Sequence, residues 1–208
     1  MDQVVQLRGR TLATTDLDEA CEILSRQYCS HSLSRRDDGT LLDVRYAQAQ
    51  LLNISINYLQ YGAEVDIRPR EFETFYLVHI PLGGEASIRA DGRQFHIRPG
   101  TAAIVAPRQE LSTTWKAHCR QLMLKIDRKA LESHLSGLLY QPIERPLEFP
   151  VVFDLSVGLG ASFQTLIFDL AAELARSDAV AQSRFVCTQI EHTLLTLILC
   201  GARHTYSD

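Results

Sequence analysis

The hydrophobic repeat of this 208-residue chain changes twice, and those changes limit its fold more than any other feature. Near residues 16–30, Leu17, Ala20, Cys21, Leu24 and Tyr28 recur on one helical face, with Thr14, Thr15 and Asp16 ahead of them to cap the free amides. The polar stretch SLSRRDDGT, with its Asp38-Gly39 pair, then reads as a loop. From about residue 41 to 126 the period falls to two. Leu52, Ile54, Ile56 and Tyr58 alternate with polar neighbours, which predicts a strand with one apolar face. FYLVHIPL is apolar on both faces, as a strand covered on both sides must be. Gly83-Gly84, Asp91-Gly92 and Pro99-Gly100 break the region into short antiparallel strands, with turn signals about every 8–12 residues. That spacing calls for a sandwich or barrel.

After Ile126 the helical period returns. Asp127 is placed to cap a helix carrying Ala130, Leu131, Leu135 and Leu138. A proline-containing loop leads to a second helix with Phe163, Leu166, Ile167, Leu170, Ala171 and Leu174 on one face. A last helix, capped by Ser177 or Asp178, carries Cys187, Ile190, Leu194, Leu197 and Ile198. Its apolar stripe is wider than one intramolecular contact requires, so Ile190, Leu194, Leu197 and Ile198 are expected to pair two copies of the chain. The reading is α+β: one helix, a cupin-like antiparallel β-barrel of jelly-roll type completing residues 1–126, and a small helical dimerisation subdomain over residues 127–208.

Charge and cysteine content narrow the function. With 21 basic against 25 acidic side chains the formal charge is −4, which argues against this chain gripping nucleic acid by itself. Five cysteines at irregular spacing, without a CxxC, read as reduced cytoplasmic thiols. The N-terminus lacks a signal-peptide pattern and no apolar run approaches a membrane span, so the expected partner is neither a membrane nor a secretion route.

Enzymatic chemistry finds little support. A metal-dependent cupin site needs imidazoles close in space, commonly as His-x-His, and no two of the seven histidines are separated by two or four residues. There is no GxSxG elbow and no phosphate-binding glycine loop. Neither a metal nor a cofactor is expected. What remains is a barrel with polar and aromatic groups that suit a small molecule. Tyr58, His79, Trp115 and Arg120 are the candidate contacts, with His96 on a short hairpin strand as a further one. His79 interrupts an apolar strand, Trp115 offers a flat wall and one donor, and Arg120 is able to hold a carboxylate if it points inward. For Tyr58, His79 and Trp115 ordinary core packing is the competing reading.

The order of YG before the second strand, FYLVHIPLGG, DGRQFHIRPG, an AP eight residues before Trp115, W-x3-C-x-QLMLKI and then R-x-x-LE resembles the regulatory domain of AraC/XylS-type bacterial transcription regulators. The pieces fall over residues 51–135, and the likeness extends from about residue 10 to the end. The resemblance implies a cupin-like barrel that binds a small effector, helices that form a homodimer, and promoter DNA contacts made by a separate helix-turn-helix domain. No such domain follows in this chain, which looks like a truncation to the sensor half. By order along the chain, lumen contacts of a sugar-responsive member of the family correspond to Trp115 and the Arg120–Leu122 stretch, which adds Leu122. Effectors in the family range from sugars to aromatic acids, and Arg120 directs the expectation here towards a small organic acid or an aromatic. The rival readings are a cupin-fold enzyme and an interaction module whose barrel is filled by its own side chains.

Overall fold

A computed structural model of the protein describes residues 7–36 and 39–207. Strand β1 (Thr11–Thr14) precedes helix α1 (Leu17–Gln27), and strands β2 (His31–Arg35), β3 (Val44–Gln50), β4 (Ile54–Gln60), β5 (Val65–Pro69) and β6 (Phe75–Gly83) follow. Next come β7 (Ala86–Ala90), β8 (Arg93–Ile97), β9 (Thr101–Val105), β10 (Leu111–Trp115) and β11 (Arg120–Asp127). Helix α2 (Arg128–Leu139), strand β12 (Val152–Asp154) and helices α3 (Gly158–Arg176), α4 (Ala179–Gln182) and α5 (Arg184–Gly201) complete the described chain.

The strands form a seven-stranded sheet ordered β1-β3-β4-β11-β6-β9-β12 and a five-stranded sheet ordered β2-β5-β10-β7-β8. The α+β, cupin-like arrangement is the expected one, but the sheets face each other as a sandwich and do not close into a continuous barrel. One core lies between the sheets and is roofed by Ala20 and Leu24 of α1. The second lies on the opposite face of the seven-stranded sheet, where α2, α3 and α5 pack. The helices after residue 127 therefore share a core with the sheet.

Local signals explain the elements. The Asp16 carboxylate accepts from the amides of Asp18 and Glu19 at 2.8 and 2.9 Å and starts α1. Asp91 and Gly92 both take positive φ (50° and 74°), as a two-residue type I′ hairpin requires, and join β7 to β8 in register. Gly84 also has positive φ, and a Cβ there would meet the Cys119 backbone at 2.8 Å, so only glycine lets these two turns touch. β6 is buried on both faces as predicted, with Tyr76, Val78 and Ile80 towards the helices and Phe75, Leu77 and His79 between the sheets.

Several expectations are corrected. β4 is covered on both faces, because Ser55 and Asn57 are buried rather than solvated. Asn57 accepts from the Tyr46 hydroxyl at 3.0 Å and donates to the Met123 carbonyl at 3.2 Å, which makes its burial tolerable. β2 forms inside the stretch read as a loop, since pairing with β5 supplies its backbone partners. Asp37 and Asp38 lie outside the described residues. The last helix is interrupted at Ser183, whose side chain accepts from Val186 N–H and begins α5 anew, in place of one helix capped at Ser177 or Asp178.

Candidate functional site

Trp115 is the last residue of β10 and points between the sheets, where it is buried. Tyr61 meets its ring edge-on at 5.3 Å between centroids, and His79 does so at 6.3 Å. These rings border a cavity of about 60 Å³ whose other walls include Leu24, Leu59, Ile67, Phe72, Phe75, Leu77 and Met123. Tyr28, Cys29 and His31 close its α1 end. The lining is apolar apart from a few convergent polar groups, the usual composition of a small-molecule site.

Those polar groups have an unusual property. Among the described residues, four buried side-chain polar atoms lack a hydrogen-bond partner: Tyr28 Oη, His79 Nε2, Thr113 Oγ1 and Trp115 Nε1. All four residues line this one cavity. The Tyr46 hydroxyl lies near that of Tyr28, but the pair does not meet hydrogen-bond geometry, and the Tyr46 hydroxyl donates to Asn57 instead. A buried unsatisfied polar group costs about 1–3 kcal/mol. Collecting them around one void is what a site awaiting a polar partner looks like.

The state of His79 is fixed by its neighbours. The structure orients the Gln121 side chain with its NH₂ 3.6 Å from Cys119 Sγ and its oxygen 3.0 Å from His79 Nδ1. Nδ1–H therefore donates to Gln121, and Nε2 keeps a bare lone pair facing the cavity. Burial lowers the His79 pKa to about 4 against a smaller upward effect of the Gln121 contact, so the ring is neutral at neutral pH. Burial also pushes the Cys119 thiol up to about 11, the opposite of an activated nucleophile.

The other sequence candidates lie elsewhere. Tyr58 and Leu122 face the helices on the far side of the seven-stranded sheet. Tyr58 reads as core, its hydroxyl donating to Gln60 Oε1 at 2.6 Å. Arg120 shares their parity, so its guanidinium lies over Gly83 and lines a surface concavity with Asp43, Gln60 and His118. His96 is exposed on the outer face of the five-stranded sheet, paired with Ser87 Oγ at 3.1 Å. Only His79 and Trp115 of the six candidates reach the space between the sheets. No Arg or Lys side chain lines the cavity, so the anticipated carboxylate has no counter-charge there. Strand parity from Trp115 points to Thr113, parity opposite to Arg120 points to Gln121 and Met123, and Tyr28 shares the helical face of Leu24, which also lines the cavity.

The expected dimer residues divide as well. Leu194 and Ile198 are fully buried in the core shared with α3 and the sheet, because α5 has to cover that sheet. They are unavailable to a second copy. Ile190 and Leu197 are half-buried.

A larger concavity of about 870 Å³ lies on the outer face of the five-stranded sheet. Of its charged lining groups, Arg36 pairs with Asp66 at 2.8 Å and Lys116 with neighbouring Glu64 at 3.2 Å. Its polar walls are open to water, so size alone does not make it the better site. Among the described residues, no group of three His, Cys, Asp or Glu side chains is placed to hold a metal ion, and no helix is long and apolar enough to cross a membrane.

Comparison with known proteins agrees with this architecture. The chain is 29% identical over 200 residues to a probable thc operon regulatory protein of Rhodococcus erythropolis, covering 95% of this chain. It spans 60% of that relative's length. The crystal structure of the AraC-like transcriptional activator CuxR superposes with a TM-score of 0.64 at 12% identity, over 96% of this chain and 73% of that one, and so shares its fold. The family model described as the AraC-binding-like domain matches residues 20–200, and the chain belongs to that family.

Proposed function

We propose that this chain is the small-molecule-sensing regulatory domain of an AraC-type bacterial transcription regulator, a non-enzymatic domain that works in the cytoplasm. One observation carries the reading: the four unpartnered buried polar atoms surround a single cavity. An interaction module filled by its own side chains has no reason to keep them. An effector that satisfies them would stabilise whichever arrangement of α1 and the sheets it fits best, and would shift the population by its differential affinity. The regulator names of the relatives support the transcriptional role, and five free cysteines support a reducing compartment. A formal charge of −4 supports leaving promoter contact to another domain of the regulator.

The chain is proposed to pair with a second copy through the α5 stripe of Val186, Ile190 and Leu197, which sit at helical spacing and are exposed or half-buried. Glutamate at Ile190 and Leu197 should give monomers in sedimentation, and an unchanged assembly state would remove that interface.

The cavity reading is tested by a thermal-shift screen of small neutral and charged molecules. Hits should lose their effect in Trp115→Ala and keep it in His96→Ala and Tyr58→Phe. Hits that depend on His96 and ignore Trp115 would move the site to the outer sheet face.

A further inference from the structure

We infer that the cavity selects an uncharged group that both donates and accepts hydrogen bonds, a carboxamide or a hydroxyl on an apolar body, and that it discriminates against carboxylates and ammonium groups. This rests on the reading of the cavity as the effector site and adds the chemistry of what it takes.

The selection follows from what each polar atom is able to do. Trp115 Nε1–H donates only. His79 Nε2 accepts only, because Nδ1 holds the proton against Gln121 Oε1. The Thr113 and Tyr28 hydroxyls do either. A ligand that meets both fixed groups must offer one acceptor and one donor, which a carboxamide or hydroxyl does with no net charge.

A carboxylate suits the indole N–H but sets its lone pairs against that of His79. Its full charge would also lie among Leu59, Ile67, Phe75 and Leu77 with no cation lining the cavity. Lys125 is a cation close to two lining rings, those of Tyr28 and Phe75. Its ammonium donates to the Gln27 carbonyl at 2.6 Å and lies 4.7 Å over the Phe75 ring, outside the lining. An ammonium ligand could donate to His79 but finds no carboxylate, since neither Asp nor Glu lines the cavity. His31 adds no fixed partner through Nδ1, which is engaged with the Cys29 carbonyl at 3.0 Å and Ser25 Oγ at 3.1 Å.

Trp115 is the only tryptophan, so its indole N–H gives a single side-chain signal in a nitrogen-correlated NMR spectrum. A cavity of about 60 Å³ calls for small probes. We would titrate the intact ¹⁵N-labelled protein at neutral pH with isobutyramide, isobutanol, isobutyrate and isobutylammonium, which share one branched body. Molecules this small bind at about millimolar strength at best, so titration runs to tens of millimolar. The inference expects saturable movement of the Trp115 indole signal, and of the His79 Nε2 nitrogen, with the amide, the alcohol or both. The ratio of those two affinities assigns the preferred group. The two ions should bind at least about tenfold more weakly. Thr113→Val should weaken the amide and alcohol severalfold while leaving the indole signal of a folded protein. Binding of isobutyrate or isobutylammonium at equal or higher affinity, with the same indole movement, would overturn the inference and leave the cavity as the effector site. An indole signal that none of the four moves would overturn it, and if a wide set of neutral fragments also failed, the effector-site reading would fall with it.

Discussion

The Glu191 carboxylate accepts hydrogen bonds from both the backbone and the side-chain amide of Asn53, at 2.6 and 3.0 Å. The Ile54 N–H adds a third at 3.0 Å. Helix α5 is thereby fastened to Asn53 and to Ile54, the first residue of β4, a strand whose other face looks into the space between the sheets. Replacing Glu191 with alanine leaves the Ile54 N–H without its acceptor in a buried place, and removes the partner of the more exposed Asn53. The expected loss is about 2–3 kcal/mol of unfolding free energy, measured by urea denaturation. Gln should recover part of it, since its oxygen still accepts.

Leu194 and Ile198 are core residues, and substitutions there report on stability. Leu194→Ala should cost about 2–5 kcal/mol, as large-to-small changes in a packed core do. Glutamate at both positions should abolish folding, visible as loss of the cooperative thermal transition. A well-folded double variant that merely became monomeric would show that these side chains leave the core.

Thr113 separates binding from stability. Its buried hydroxyl has no partner in the absence of ligand, so Thr113→Val should raise the stability of the free protein by about 1 kcal/mol while weakening effector binding. Loss of stability together with unchanged binding would mean that the hydroxyl serves the core.

Acid should weaken the fold through His79. Its folded pKa of about 4 lies below the ordinary value of 6.5, so the unfolded chain binds the proton more readily between the two. Stability is then complete above about pH 6.5 and falls as pH drops towards 4, by roughly 3 kcal/mol at full extent. Burial depresses the pKa of His134 and His204 in the same direction, with His192 adding to the effect on His134. Urea midpoints from about pH 7 to pH 4.5 should decline in the wild type and decline less in His79→Gln. Parallel curves for the two proteins would remove His79 as the cause.

Much of the fold is legible in the sequence because the signals are local. The Asp91-Gly92 hairpin, the Asp127 cap, whose carboxylate accepts from Ala130 N–H at 2.9 Å, and the two-sided burial of β6 follow from neighbouring residues. The site is less legible because strand parity states which residues share a face but not what covers that face. Arg120, Leu122, Leu124 and Ile126 alternate correctly, yet their side of the sheet meets helices rather than the second sheet. Tyr58 joins the same side. Polar residues deceive in a second way: Asn57 looks solvated in the sequence, but three-dimensional partners satisfy it in the interior. β12 follows the proline-containing stretch QPIERPLEFP and has no counterpart in the sequence reading, because its pairing with β9 is long-range and short strands defined by such pairing leave almost no periodic signal.

The most direct test of the account is a crystal structure of the protein with a small molecule that raises its melting temperature and needs Trp115 to do so. The account predicts ligand density between the two sheets, within hydrogen-bond distance of His79 Nε2 and Trp115 Nε1, with α1 displaced or reordered as far as the ligand's size demands. Ligand density on the outer face of the five-stranded sheet beside His96 and Arg89, with the cavity between the sheets unchanged, would contradict it.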